Sequence, residues 1–228
     1  VSFSIQPGAR QALIGPNGAG KTTLINLLTG VIKPSAGSVL LGGEDVTALS
    51  SNKRVRRGLS RTFQINQLFP DLSPAESIGL AISERNGSGA DFWRPAGGKP
   101  EIVAEIEQLL QRFGLEDAMD RPTRTLAYGK QRLLEIALAL ACRPRVLLLD
   151  EPAAGVPEEE RRDILAALAT LPADVAILLI EHDMDLVFNF ATRISVLVAG
   201  RLLLEGAPDE IAADERVRAV YLGEDAHG

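Results

Sequence analysis

The sequence has one cysteine, one tryptophan, two tyrosines and two histidines, and aromatic residues make up only 4% of it. A lone cysteine excludes an intramolecular disulfide framework and a cysteine-based zinc site, and it fits a reducing compartment. With few aromatics, the apolar content is mainly Leu, Ala, Val and Ile, which suits an α/β core better than an aromatic-rich β-sandwich. Long apolar runs are missing too. The longest, Ile136–Cys142, is far short of the roughly 20 residues of a membrane-spanning helix, and no segment reads as a signal peptide. Basic residues are not in excess: 24 Lys and Arg face 30 Asp and Glu, a net charge of −6. A whole-chain basic footprint for nucleic acid is therefore absent.

What is present is the composition of a globular protein. The 228 residues are 46% hydrophobic and 24% charged, enough for a buried core in one domain, or one domain with an inserted part. Val1–Ile5 alternates like a strand, and Pro7-Gly8 turns the chain. Gln11–Ile14 is expected as a short strand. Thr23–Thr29 carries Leu24, Leu27 and Leu28 at helical spacing, with Gly30 as its C-cap. Ser38–Leu41, punctuated by glycines, suggests a hairpin arm. Lys53, Arg54, Arg56, Arg57 and Arg61 form a basic cluster, read as a solvated helix face in preference to an anion site. Asn86–Pro100, rich in Gly and Pro and carrying Phe92 and Trp93, is expected to be a surface loop. Helices follow over Glu101–Phe113 and Lys130–Ala141. Val146–Leu149 and Val175–Ile180 are continuous apolar runs of the kind found in parallel strands buried on both faces. The helix Glu158–Leu171 between them completes a βαβ unit. Ile194–Val198 and Leu202–Leu204 flank Ala199-Gly200 as a closing hairpin. The tail from Pro208 reads as one or two short helices ending near Leu222.

Gly15-x-x-x-x-Gly20-Lys21-Thr22, set between a strand and a helix, matches the phosphate-loop pattern. Glycines allow positive φ, so that successive N–H groups turn inward onto phosphate oxygens. The helix that starts there adds the positive end of its dipole. Lys21 supplies a point charge for the β and γ phosphates, and the Thr22 hydroxyl can ligate Mg²⁺. Downstream, Val146–Asp150 is an apolar strand ending in Asp150-Glu151. Such a strand is expected beside the loop strand, so that Asp150 reaches the cation. Glu151, one step further, would face the γ-phosphate and polarise an attacking water.

Three further features follow in order: Gln64 in Arg61-Thr62-Phe63-Gln64, the run Leu126-Ala127-Tyr128-Gly129-Lys130-Gln131-Arg132, and His182 after the strand Val175–Ile180. With these the chain resembles, over essentially its whole length, the ATP-binding subunit of an ABC transporter, of the type that energises branched-chain amino acid uptake. The resemblance implies an α/β fold: a P-loop NTPase (RecA-like) core with a predominantly parallel sheet, an antiparallel β arm and an inserted α-helical subdomain. Residues 1–65 and 142–228 would form the core and arm, and residues 66–141 the helical subdomain with the signature motif. Gly15, Pro16, Asn17, Gly18, Ala19, Gly20, Lys21, Thr22 and Thr23 are similar to the Walker A loop. Gln64 is similar to the Q-loop glutamine, which touches Mg²⁺ and the attacking water. Leu126, Ala127, Tyr128, Gly129 and Lys130 resemble the signature motif, which binds the γ-phosphate of ATP held by the opposite subunit. Val146–Asp150 is similar to Walker B, Glu151 to the catalytic base and His182 to the switch histidine. Thr22, Gln64 and Asp150 would then serve Mg²⁺.

The resemblance further implies a head-to-tail pair with a second ATP-binding subunit, identical or paralogous, membrane-spanning permease subunits and, indirectly, a solute-binding protein. Its place would be peripheral, on the cytoplasmic face of the cell membrane, with Leu68, Phe69 and Leu72 as an apolar docking patch for the permease. Ala127, Tyr128 and Lys130 depart from the usual signature, and Pro157 stands where the family commonly has Asp or Asn. An upstream aromatic that stacks on adenine has no counterpart, so the sequence is expected to be incomplete at its N-terminus. Other cargoes, such as urea, amides or exported lipid, stay open, as does a soluble ABC-type ATPase without a membrane partner. A GTPase is disfavoured because no Asn-Lys-x-Asp stretch is present.

Overall fold

The computed structural model describes residues 1–62, 68–87 and 99–222. The chain divides into two units, one of Val1–Arg61, Arg145–Glu151 and Pro172–Gly228, the other of Thr62–Pro144 and Pro152–Leu171.

The first unit is built on a six-stranded sheet. Its strands are β1 (Arg10–Ile14), β4 (Leu59–Arg61), β5 (Val146–Asp150), β6 (Ala176–Ile180), β7 (Arg193–Val198) and β8 (Arg201–Gly206). The spatial order is β4-β5-β6-β1-β7-β8. All neighbours are parallel except β7 and β8, an antiparallel hairpin turned by Ala199 and Gly200 at φ 47 and 73. Both central residues of that turn are left-handed, the twist that a two-residue hairpin needs. The buried runs behave as expected of parallel strands: every residue of β6 is buried, as are the last four of β1 and of β5. Alternate residues of β1 serve opposite faces. Ala12 and Ile14 pack with Val187, Ile194, Val196 and Ile211, whereas Leu13 packs with Ile25, Leu148, Leu178 and Ile180.

One expectation fails here. The Asp150 strand does not lie beside the phosphate-loop strand, because β6 is inserted between them and pairs with both. Apolar runs buried on two faces declare that they are central, but not which neighbour each one takes. Val1–Ile5 is not a strand either. It has no ladder partner among the described residues; Val1 is 63% exposed, while Phe3 and Ile5 rest against the Leu13 cluster.

The remaining elements of this unit are α1 (Lys21–Thr29), a two-stranded arm of β2 (Leu40–Leu41) and β3 (Glu44–Asp45), α2 (Ser51–Val55), α7 (Met184–Phe190), α8 (Pro208–Ala213) and α9 (Glu215–Leu222). Helix α1 ends at Gly30, whose φ of 76 gives the left-handed cap that glycine favours. Arg54 of α2 is 1% exposed, and its guanidinium donates to the carbonyls of Leu27, Leu28, Thr47 and Leu49. A side chain expected on a solvated face is thus a buried clamp between the end of α1 and the stretch that follows the arm.

The second unit holds α3 (Pro74–Arg85), α4 (Pro100–Arg112), α5 (Tyr128–Ala141) and α6 (Glu158–Ala169). Helix α3 starts in a capping box: the Ser73 hydroxyl accepts from the Glu76 N–H, and Glu76 accepts from the Ser73 N–H. Apolar faces of the four helices supply Ile78 and Ile82, Ile106 and Leu110, Leu133 and Leu134, and Ile164 and Leu168 to the interior. Arg85 donates to both oxygens of Glu105 and to the carbonyl of Ala141 at the end of α5. That bond from Arg85, with help from Arg143, holds the Glu105 carboxyl below its ordinary range against the opposing effect of burial. The expected loop with Phe92 and Trp93 falls largely outside the described residues, as does His227.

Candidate functional site

At the end of β1 the chain must pass close to β7. A Cβ on Gly15 would meet the Leu197 carbonyl oxygen at 2.1 Å, so no other residue fits there without moving backbone. The loop is then pinned, with the Ala19 N–H donating to the Pro16 carbonyl at 3.1 Å and the Gly200 N–H to the Ala19 carbonyl at 2.8 Å. Gly20, at φ 99, is the N-cap of α1 and provides no side-chain cap. The first turn of α1 thus offers backbone donors and the positive dipole end with no side-chain acceptor at the cap. Lys21 curls over the loop, its Nζ donating to the Gly15 carbonyl at 2.5 Å and to the Pro16 carbonyl at 3.2 Å. Asn17, Gly18, Thr22 and Thr23 are exposed.

The sheet register sets the opposing side. Leu13 pairs with Ile180, and Ile180 with Asp150, so β1, β6 and β5 end level at their carboxyl edges. Residues that follow this row, Ile14-Gly15, Glu181-His182 and Glu151, emerge at one edge, where open parallel sheets bind ligands. Asp150 is 5% exposed, and its Oδ2 accepts from Nη2 of Arg61 at 2.6 Å. Glu151 adopts a φ of 48, unusual for a residue with a side chain, while its N–H donates to the Ile180 carbonyl at 2.9 Å. His182 is exposed; its Nδ1 lies 3.9 Å from Glu151 Oε1 and 3.8 Å from Oε2 of the buried Glu181. One edge thus presents backbone donors, an ammonium, two acids and an imidazole. This set can cradle a polyphosphate and take a proton from water.

The oxygen donors here, the Thr22 hydroxyl and the Asp150 carboxylate, are of the kind that a hard divalent cation takes. Among the described residues no group of three or more His, Cys, Asp or Glu could hold a metal ion. A cation at this edge would therefore draw further oxygens from a ligand or water.

The run Leu126–Lys130 lies in the second unit, where Ala127 is the N-cap of α5 and the helix begins at Tyr128. This is two residues earlier than the spacing predicts. The Gly129 N–H donates to Glu160 Oε2 of α6 at 2.7 Å. The Tyr128 ring passes by Gly155 and lies under the Arg132 guanidinium, 5.4 Å from the centroid. Lys130 is tied to both oxygens of Asp117 at 2.5 and 2.7 Å, a bond that pulls the Asp117 carboxyl below its usual range.

Of the residues singled out from sequence, Gly15–Thr23, Asp150, Glu151 and His182 share the edge of one sheet, and Leu126–Lys130 stands in the other unit. Gln64 lies outside the described residues. The basic cluster needs correction, since Arg54 and Arg61 are buried or nearly so and Arg57 pairs with Glu44 at 2.7 Å. In the apolar patch only Phe69 is exposed, at 58%; Leu68 and Leu72 are half-buried. The segment is strapped down by the Thr123 N–H and hydroxyl, both donating to the Leu72 carbonyl. Sequence reasoning placed Arg61 only in that solvated cluster and gave no role to Glu160. Their partners, Asp150 and Gly129, lie 89 and 31 residues away, and no local pattern announces them.

Residues 1–154 match the ABC transporter family, and residues 201–227 match the branched-chain amino acid ATP-binding cassette transporter family. The chain is 38% identical to the high-affinity branched-chain amino acid transport ATP-binding protein BraF of Pseudomonas aeruginosa, over 98% of this chain and 91% of that protein. It is 37% identical to LivG of Escherichia coli, described by the same words, with the same two coverages. Among solved structures, a nucleotide-free ATP-binding cassette from an ABC transporter superposes with a TM-score of 0.82 at 30% identity, covering 97% of this chain and 90% of that one. An ADP conformation of an ATP-binding cassette gives the same TM-score and identity, covering 98% and 91%. With these likenesses spanning nearly its whole length, the chain belongs to the ABC transporter family, among the ATP-binding proteins of the branched-chain amino acid type.

Proposed function

We propose that this chain binds and hydrolyses ATP with Mg²⁺ and energises import of branched-chain amino acids through separate membrane-spanning subunits. The single observation that carries the site assignment is the level ending of β1, β6 and β5. It sets the bare first turn of α1 and Lys21 along one edge with Asp150, Glu151 and His182. In this reading the N–H groups of Gly18–Thr23 and the Lys21 ammonium hold the phosphate oxygens. Thr22, Asp150 and Gln64 would hold Mg²⁺, which when bound would supply positive charge to neutralise the phosphates. Glu151 accepts a proton from the water that attacks the γ-phosphorus, and ADP leaves with its β-phosphate oxygen as the leaving group. His182 donates to the γ-phosphate from the neighbouring strand end.

The second half of the site comes from Leu126–Lys130 of another subunit, packed head-to-tail, whose helix start faces the γ-phosphate. Two ATP molecules are then buried between two subunits, and closure excludes water from the reaction. No helix among the described residues is long and apolar enough to cross a membrane. Work on a transmembrane cargo therefore needs permease subunits, with this chain held at their cytoplasmic side and Phe69 among the docking residues.

The test is Glu151→Gln. The variant is expected to bind ATP with near-normal affinity while turnover falls by about 10²- to 10⁴-fold, and a dimer should accumulate on gel filtration with ATP. Undiminished hydrolysis would remove Glu151 from the mechanism. The cargo is tested by ATP-dependent uptake of leucine, isoleucine and valine after reconstitution with the permease; uptake of none of them would overturn that assignment.

A further inference from the structure

Arg61 is the last residue of β4 and pairs in register with Leu148 of β5. Parallel partners face the same side of a sheet, and Asp150 lies two residues beyond Leu148, on that same side. The guanidinium spans this gap. Its Nη2 donates to Asp150 Oδ2 at 2.6 Å, and its Nη1 donates to Asn26 Oδ1 of α1 at 2.8 Å. The side chains of Arg61 and Asp150 are 11% and 7% exposed, so the pair is nearly dry. Three pieces of the site meet in one side chain: the helix that follows the phosphate loop, the strand that carries the acids, and β4.

We propose that Arg61 is a positioning residue for the nucleotide site, a resident countercharge that holds the buried Asp150 carboxylate in place and fixes it relative to α1. This rests on the nucleotide reading of the site given above. The physical argument has two parts. A buried carboxylate is strongly disfavoured without a partner of opposite charge, and removing one member of a buried pair exposes that cost in full. A planar guanidinium also holds two acceptors at a fixed angle through two nitrogens, which a lysine ammonium cannot do. Arg61 therefore sets both the charge and the direction of Asp150. Its loss transfers the task of balancing that carboxylate to the divalent cation.

The experiment compares the wild-type chain with Arg61→Gln, Arg61→Lys, Asp150→Asn and the double variant Arg61→Gln/Asp150→Asn. Melting temperature and ATP affinity are read in EDTA and in Mg²⁺. Arg61→Gln is expected to melt about 10 °C below wild type in EDTA, and Mg²⁺ with ATP should recover more of this loss than it adds to wild type. The ratio of ATP affinity with Mg²⁺ to that in EDTA should rise about tenfold over the wild-type ratio, given the charge removed beside Asp150. Arg61→Lys should restore most of the affinity ratio but only part of the melting temperature. The double variant should melt no lower than Arg61→Gln alone, because the carboxylate left unbalanced is gone.

An additive double variant, or an unchanged affinity ratio in Arg61→Gln, overturns the proposal. If Arg61→Gln does not fold, Arg61→Lys against Arg61→Lys/Asp150→Asn gives the same cycle. Should the wild-type chain bind no ATP at all, the nucleotide reading fails on its own. The cycle of melting temperatures in EDTA then still decides whether Arg61 balances Asp150, non-additivity supporting it and additivity overturning it.

Discussion

Two helices of this protein start at a run for which a phosphate contact is proposed above, and their first turns are finished differently. Helix α1 begins after Gly20, which caps nothing with a side chain, and no acidic residue stands in its first turn. Helix α5 begins after Ala127, yet its Gly129 N–H already donates to the Glu160 carboxylate of α6 at 2.7 Å. Every helix leaves about four N–H groups without an intrahelical acceptor. In α1 the cap residue brings no side-chain acceptor of its own, and in the function proposed above this end receives an anion directly. In α5 one donor is served from within the same unit, so an anion arriving there must share Gly129 with Glu160 or displace it. A bare end gives affinity directly; a served end makes binding depend on what the rest of the chain surrenders.

The largest effect is expected at the bare end. Lys21→Ala should weaken ATP binding by about a thousandfold, a charge-assisted contact having been lost, and calorimetry reads this directly. Retained affinity would place the phosphate site elsewhere and dissolve the comparison. Next comes the contrast between Gly15→Ala and Gly129→Ala. The new methyl at Gly15 would meet a carbonyl of β7 at 2.1 Å, whereas at Gly129 it would meet the tip of the Glu160 side chain at 2.3 Å. Backbone cannot yield and a carboxylate can, so denaturant unfolding should show about 3 kcal/mol lost for Gly15→Ala and 1 kcal/mol or less for Gly129→Ala.

Glu160→Ala removes the internal acceptor and should cost about 1 kcal/mol, the usual worth of a helix cap. Adding Gly129→Ala to it should cost little more, since both act on one bond. Additive losses would show that Glu160 stabilises α5 by some other route. The smallest effect belongs to Lys130→Gln, whose partner Asp117 is exposed and contributes little to stability in water. The sign of its pH dependence is nonetheless fixed. Asp117 is held below its ordinary range by Lys130, so whatever the pair contributes is present above about pH 4 and is lost as the pH falls through the lowered value. Melting curves of variant and wild type should therefore converge in acid.

Much of the first unit was legible because its information is local. The strand, glycine loop and helix of residues 10–29 and the two-sided apolar runs of β5 and β6 each declare themselves within a few residues. So does Ala199-Gly200, whose turn chemistry specifies a hairpin. What stayed hidden is pairwise and distant. The insertion of β6 between β1 and β5 depends on which buried run finds which, and apolar composition is silent on that. Arg61 and Arg54 are charges, and a charge read alone is assigned to solvent; only the meeting with Asp150 or with four carbonyls makes burial tolerable. The alternation of Val1–Ile5 misled for the opposite reason, since a period of two makes a strand only where a second strand is present to receive its bonds. Helix α3, by contrast, could have been placed from Ser73-Pro74-x-Glu76, a start signal that needs no tertiary information.

The clamp made by Arg54 carries a consequence for any attempt to rebuild this protein. Four main-chain oxygens from two separate stretches, Leu27 and Leu28 on one side and Thr47 and Leu49 on the other, converge on one guanidinium that water does not reach. The stretch of residues 47–54 that follows the arm is therefore not a detachable ornament. Replacing Arg54 would strip donors from the tail of the helix that begins at Lys21, and the proposed nucleotide site would feel a change made at the far end of its own scaffold.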